Sequence, residues 1–245
     1  MILHILGSGS KGNGYILRAS NREALILECG MPLIEVMKVL EFDLSGLHGA
    51  LVTHSHLDHS GKAEQYCKSG INVYTQKETI DSLKFESHRL KPLEASKSFE
   101  LGSFKILPFK LVHDVPTVGF LIFHHEIGKM VFITDTKYLT WKFEGLNHLL
   151  IECNYSTDLM NERLIQGSLK GFLYNRVQES HLSLETLKIF LQSNDLSKVK
   201  NIVLLHLSDG NSHERKFIQD VSELTGKKTF AASQGKKINL SLNPF

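Results

Sequence analysis

Apolar runs of about four to eight residues, bounded by glycine or polar turns, recur along this chain, and runs of that length predict strands. The first half carries "ILHIL" (2–6), "GYILRA" (14–19), "ALILEC" (24–29) and "GALVTH" (49–54). The first three lie close together across the turn signals "GSGSKGNG" and "SNRE", which predicts an antiparallel meander. The second half repeats the style in "FKILPF" (104–109), "VGFLIFHH" (118–125), "KMVFIT" (129–134), "HLLIEC" (148–153), "VKNIVLLH" (199–206) and "KINLSL" (237–242). Helical spacing replaces these runs in four places. "PLIEVMKVL" (32–40) is led by a proline suited to a first turn, and "SGKAEQYCKSG" (60–70) ends at Gly70. In "SLETLKIFLQS" (183–193), Leu184, Leu187 and Leu191 share a face and Ser183 can cap it. In "SHERKFIQDVSELTGKK" (212–228), Phe217, Val221 and Leu224 share a face and Gly226 ends it.

This order of elements predicts an α/β fold with two sheets face to face and helices outside, a four-layer αββα sandwich, although the pattern alone also suits a three-layer α/β fold. One segment breaks the style. "YSTDLMNERLIQGSLKGFLYNRVQES" (155–180) is polar and weakly patterned, and reads as a surface insertion within a single domain spanning 1–245.

Composition narrows the function. Basic and acidic residues number 28 and 26, a net charge of +2, which excludes a polybasic nucleic-acid binder and makes any phosphate recognition local. The three cysteines, Cys29, Cys67 and Cys153, stand singly, against a disulfide framework or zinc ribbon and for a reducing, cytoplasmic setting. "MILHILGSGS" does not read as a signal peptide, and no apolar run reaches the roughly 20 residues that span a bilayer, so no membrane partner is expected. The sequence leaves room for an oligomer.

Thirteen histidines are the departure from ordinary composition. "LVTHSHLDHSGK" (51–62) packs His54, His56, Asp58 and His59 directly behind an apolar run. Other polar residues also follow apolar runs: His113 after "FKLV", Asp135 after "VFIT" and His206 after "NIVLL", with His181 just before a helix in "ESHLSL". Strand ends on a rigid sheet can aim several side chains at one point, and imidazole with carboxylate is the donor set of zinc, manganese or iron. A lone histidine behind a strand is ordinarily a turn residue, so His113 and His206 gain weight only beside the early cluster. His124–His125, before "EIGK", reads as a hairpin end.

H-x-H-x-D-H behind a strand resembles the signature of the metallo-β-lactamase fold. "ESHLSLETLKIFLQS…KNIVLLHLS" is similar to the end of the tRNase Z type phosphodiesterases. "ILGSGSKGNGYIL", "VHDVPTVGFLIF", "FITDTKYL", "HLSLETL" and "LLHLSDGN" resemble the YycJ/WalJ-like exonuclease branch more closely, and the likeness covers nearly the whole chain. The resemblance implies two divalent ions, zinc or manganese. His54, His56 and His113 would hold one; Asp58, His59 and His206 the other; Asp135 would bridge them. His181 matches a non-ligand histidine near the leaving group, Glu152 a glutamate that orients it, and Asp58 also serves the attacking water. Where the superfamily often has aspartate, "ILECG" has Glu28, a longer carboxylate able to support the histidine loop. The interval from Asp135 to His181 is too short for a β-CASP insert, and the glycine–proline-rich arm of tRNase Z is missing, which weakens tRNA as substrate.

Two such ions can share one water, lower its pKa and direct it at phosphorus. The expected function is therefore a dinuclear phosphodiesterase on a nucleic acid or nucleotide phosphodiester, foremost a DNA exonuclease. The alternatives are a small-substrate hydrolase (cyclic nucleotide, thioester or lactam) and a non-catalytic scaffold. Candidate substrate contacts are Ser10, Lys11 and Asn13 in the glycine loop, whose plain reading is a hairpin turn, with Asn154 and Arg176.

Overall fold

The computed structural model describes residues 1–243. The chain begins with β1 (Ile2–Gly7), β2 (Gly14–Arg18) and β3 (Ala24–Leu27), then α1 (Leu33–Val39) and β4 (Leu47–Leu51). Next come α2 (Leu57–Ser60), α3 (Ala63–Lys68), β5 (Val73–Gln76), α4 (Lys77–Ser82) and β6 (Leu90–Leu93). The second half holds β7 (Phe99–Leu101), β8 (Phe104–Leu111), β9 (Thr117–His124), β10 (Gly128–Ile133) and β11 (Leu146–Glu152). It closes with α5 (Thr157–Ile165), α6 (Gly171–Ser180), α7 (Leu184–Gln192), β12 (Asn201–Leu205), α8 (Glu214–Thr225), β13 (Lys228–Ala231) and β14 (Lys237–Asn239).

One sheet runs β14-β1-β2-β3-β4-β5-β6, the other β13-β12-β11-β10-β9-β8-β7. Each sheet is antiparallel at one end and parallel at the other. The expected meander is present, with β1, β2 and β3 antiparallel, and the pairing turns parallel from β3 to β6. The second sheet is antiparallel from β7 to β10 and parallel from β10 to β13.

Unbroken apolar runs, rather than alternating ones, follow from burial of both faces. Leu3, Ile5, Tyr15, Leu17, Leu25 and Leu27 of the first sheet meet Ile106, Phe120, Phe132, Leu150 and Val203 of the second in the central core. Their neighbours face outward. Ile16 and Ile26 pack with Leu33 and Val36 of α1 and Tyr66 of α3. Val131, Ile133, Leu149, Ile151, Ile202 and Leu204 pack with Leu187 of α7 and Phe217 of α8. The layers are therefore helix, sheet, sheet, helix, and the three-layer alternative is discarded.

Two segments gain detail in the structure. Phe217, Val221 and Leu224 share a face of α8 as expected; the first two are buried and Leu224, in the last turn, is 38% exposed. Residues 155–180 are two helices, α5 and α6, gathered on Tyr155, Met160 and Leu169. Their apolar residues are too few for a clear period. Periodicity also left 71–103 unassigned, where β5, α4, β6 and β7 are each at most six residues long.

Candidate metal centre

Strand carboxyl ends deliver the polar residues to one edge of the sandwich. His54 follows β4, His113 follows β8, Asp135 follows β10, Glu152 ends β11 and His206 follows β12. The early loop is moulded by backbone contacts. Asn13 N–H donates to the Asp58 carbonyl at 2.7 Å and Cys29 N–H to the His59 carbonyl at 2.7 Å. A Cβ on Gly30 would overlap the Asp58 carbonyl, so only glycine lets these segments approach. Glu28, Asp135 and His206 hold φ values of 69°, 46° and 53°. Three non-glycine residues in the left-handed region at one site is backbone strain held in place by the surrounding structure.

The seven side chains expected as ligands converge in two sets that share Asp135: His54, His56, His113 and Asp135, then Asp58, His59, His206 and Asp135. In the first set, His56 Nδ1 lies 3.1 Å from His54 Nε2 and 3.3 Å from His113 Nε2. In the second, Asp58 Oδ2 lies 3.3 Å from His59 Nε2 and 3.3 Å from His206 Nε2, and Asp135 Oδ2 lies 3.4 Å from His59 Nε2. A tetrahedron with bonds of about 2.05 Å has edges of about 3.3 Å, so these spacings fit a zinc-sized cation in each set. Asp135 Oδ2 is also 3.9 Å from His54 Nε2 and 3.8 Å from His113 Nε2, within reach of both sets.

His54 and His113 each donate from the second nitrogen, which fixes the tautomer that leaves the inward nitrogen free. The Thr53 hydroxyl donates to Glu28 Oε1 at 2.6 Å and so accepts from His54 Nδ1 at 2.9 Å. His113 Nδ1 donates to the Ser180 carbonyl at 2.7 Å. His59 Nδ1, otherwise without a hydrogen-bond partner, lies 3.3 Å from Glu28 Oε1. The Asn154 amide nitrogen meets His206 at Nδ1 (3.0 Å) and at its carbonyl (2.9 Å). His56 Nε2 lies 3.4 Å from Asp114 Oδ1. Sequence reasoning missed Asp114, which also sits 3.0 Å from His113 Nε2; its adjacency to His113 in "VHDV" was the available signal.

Burial, helped by the neighbouring imidazoles, pushes His54 well below its ordinary pKa, and burial lowers His113 as well. Both are neutral donors near pH 7. Burial opposes charge on His59 and His206 too, but there the carboxylates prevail. Asp135 and Glu28 raise His59; Asp135, Asp58 and Glu152 raise His206 to about 10. Asp58, Asp135 and Glu152 are themselves held below the usual carboxylate range, against their burial, by the facing histidines. Four buried or half-buried carboxylates, Glu28 among them, thus draw protons onto two imidazoles. That is the electrostatic demand a divalent cation satisfies.

Glu28 is fully buried and supports both histidine sets at once. Glu28→Gln is expected to keep the fold and weaken metal affinity about 10–100-fold, as loss of a ligand-orienting group typically does. Metal retained per chain against a graded chelator measures this; unchanged retention contradicts the role.

Glu152 Oε1 accepts from His181 Nδ1 at 2.6 Å, and its Oε2 accepts from the Thr136 and Leu182 N–H groups at 2.9 and 3.0 Å. His181 therefore turns Nε2 outward. Burial pulls its pKa down, yet the Glu152 charge and hydrogen bond raise it overall. His181 and His206 line a cavity of about 560 Å³ together with Ser10, Lys11 and Asn154. Asn13 and Arg176 are placed otherwise. Asn13 is fully buried, its amide nitrogen 3.2 Å from Asp58 Oδ2 and 3.0 Å from His59 Nε2, so it orients the loop and is no surface contact. Arg176 is exposed on α6 and does not line the cavity, which receives the next residue, Val177. The segment read as a surface insertion is exposed along most of α5 and α6 and touches the centre at its last residue, through the Ser180 carbonyl on His113, next to His181.

Fold and donor cluster are those of the metallo-hydrolases of the β-lactamase superfamily. The chain belongs to that family: the model for the Beta-lactamase superfamily domain matches residues 31–206. Among curated proteins it is similar to Exodeoxyribonuclease YycJ of Bacillus anthracis, 24% identical over 96% of this chain and 93% of the relative. It is also similar to Exodeoxyribonuclease WalJ of Streptococcus pneumoniae, 26% identical over 85% of this chain and 82% of the relative. Among solved structures, the metallo-beta-lactamase fold protein YhfI from Bacillus subtilis superimposes with a TM-score of 0.74 at 16% identity, covering 97% of this chain and 98% of that one. Among the described residues, no helix is long and apolar enough to cross a membrane.

Proposed function

We propose that the chain is a phosphodiesterase that removes nucleotides from DNA, using two divalent ions, zinc or manganese. The observation that carries this reading is the pair of four-donor sets sharing Asp135, with the His181–Glu152 pair beside them. Similarity to two exodeoxyribonucleases over most of the chain supports the substrate class. Bound in the two sets, the ions would supply Lewis acidity and a low-pKa water.

The chain's own groups divide the remaining work. His54, His56 and His113, then Asp58, His59 and His206, hold the cations, and Asp135 ties the sets together. Asp58 is the most open carboxylate among these ligands, its side chain 21% exposed, and orients the incoming water. His181 holds a proton at Nε2 for the departing oxygen, and Glu152 fixes it by taking Nδ1–H. Lys11 and Ser10, in the cavity wall, contact phosphate. The three cysteines are free and buried, in keeping with a cytoplasmic enzyme.

End-labelled single- and double-stranded DNA, incubated with the manganese- or zinc-loaded protein, should shorten stepwise. A cyclic nucleotide, a thioester and a lactam serve as comparison substrates. Intact DNA beside a hydrolysed small substrate would replace this reading with the small-substrate one.

A further inference from the structure

The loop that follows Asp135 carries "KYLTWK" (137–142), which none of the chemistry above uses. Tyr138 and Trp141 are 45% and 39% exposed, unusual for large rings that have a core available to them. Neither belongs to the cavity wall. Trp141 is nevertheless fixed: its indole N–H donates to the Lys110 carbonyl at 2.8 Å, and its ring meets Phe109 edge-on at 5.5 Å. The loop is anchored to the metal centre as well. Lys137 N–H donates at 2.7 Å to the carbonyl of Val112, the residue before His113. Lys110, whose carbonyl holds Trp141, and Lys137 and Lys142 of the loop itself are exposed, against exposed Asp114 and Glu144 next to them in the chain, so this segment keeps a positive excess before any cation binds.

Rigid exposed aromatics interleaved with lysines are the composition that binds single-stranded nucleic acid: bases stack on the rings while the cations follow the phosphates. A duplex hides its base faces, so flat rings on a rim favour an unpaired strand. We propose that Tyr138 and Trp141, flanked by Lys137 and Lys142, form a stacking platform that holds the unpaired strand of the substrate as it crosses the metal centre. The terminal nucleotide then occupies the cavity between the β1–β2 and β12–α8 loops, whose roughly 560 Å³ suits a small ligand. The platform rests on the DNA reading above.

Trp141 is the sole tryptophan of the chain, so its fluorescence reports the platform directly. A cleavage-resistant phosphorothioate single strand, added to the metal-loaded protein, should quench that emission; a blunt duplex should do so much less. Tyr138→Ala and Trp141→Ala should each lower, by about tenfold, the ratio of kcat/KM on a single-stranded oligonucleotide to kcat/KM on methyl p-nitrophenyl phosphate, which has no base to stack. The loss should fall on KM, and Trp141→Phe should recover most of it. No quenching together with an unchanged ratio overturns the platform, as does an equal loss on both substrates. If the wild type cleaves the small diester and leaves DNA intact, the function reading itself fails, an outcome distinct from failure of the platform.

Discussion

Asp135→Ala is expected to empty the centre. Bound metal should fall from about two ions per chain to below one, and hydrolysis of any phosphodiester should fall at least ~10³-fold, some 4 kcal/mol of barrier. Asp135 is the one residue common to both four-donor sets, and it is almost fully buried. Its carboxylate is a leading cause of the raised pKa values of His59 and His206. Removing it takes a donor from each set and the negative charge that makes the second set attractive to cations. The Thr134 hydroxyl, which donates to Asp135 Oδ1 at 2.6 Å, loses its acceptor too, a cost of about 1–3 kcal/mol in stability. Metal analysis after gentle dialysis, with a thermal melt alongside, separates loss of ions from loss of fold. Two retained ions with full turnover would remove the bridging role.

Position behind an apolar run draws notice to the polar residues, but it is the resemblance of "HSHLDH" to the metallo-β-lactamase signature that joins them into one donor set. His113, Asp135 and His206 each occupy such a position, one or two residues past β8, β10 and β12. The supporting residues were less legible. Nothing local marks Asn13 as the partner of Asp58 and His59 rather than a phosphate contact; the fold brings Gly30 against Asp58 and draws Asn13 inward with it. Asp114 reaches His56 across the site, a pairing that sequence spacing does not encode. Residues 155–180 look polar because α5 and α6 bury little beyond Met160 and Ser180, yet the end of α6 sets both His113 and His181. Glu28 shows the reverse: the resemblance marks it as a longer carboxylate where aspartate is usual, still able to support the histidine loop, and its buried carboxylate reaches Thr53 and His59.

His181→Ala should leave the ions in place and still lose turnover, about 10²–10⁴-fold, the usual contribution of a positioned proton donor. His181 is outside the two four-donor sets that include the early histidine loop, and stands in a third, overlapping group with Asp135, Glu152 and His206, where Glu152 occupies its Nδ1. The leaving group decides the argument. An alkoxide departs poorly without a proton and should show the full loss; p-nitrophenolate departs readily and should show little. The pH profile supplies a second test. Glu152 raises the pKa of His181, so the protonated imidazole persists below that raised value and is lost as pH climbs through it. The wild type should therefore show an alkaline limb that His181→Ala lacks. Glu152→Gln, without the negative charge, should move that limb to lower pH. A variant that sheds its ions, or loses the same factor on both leaving groups, would return His181 to a structural role at the end of α6.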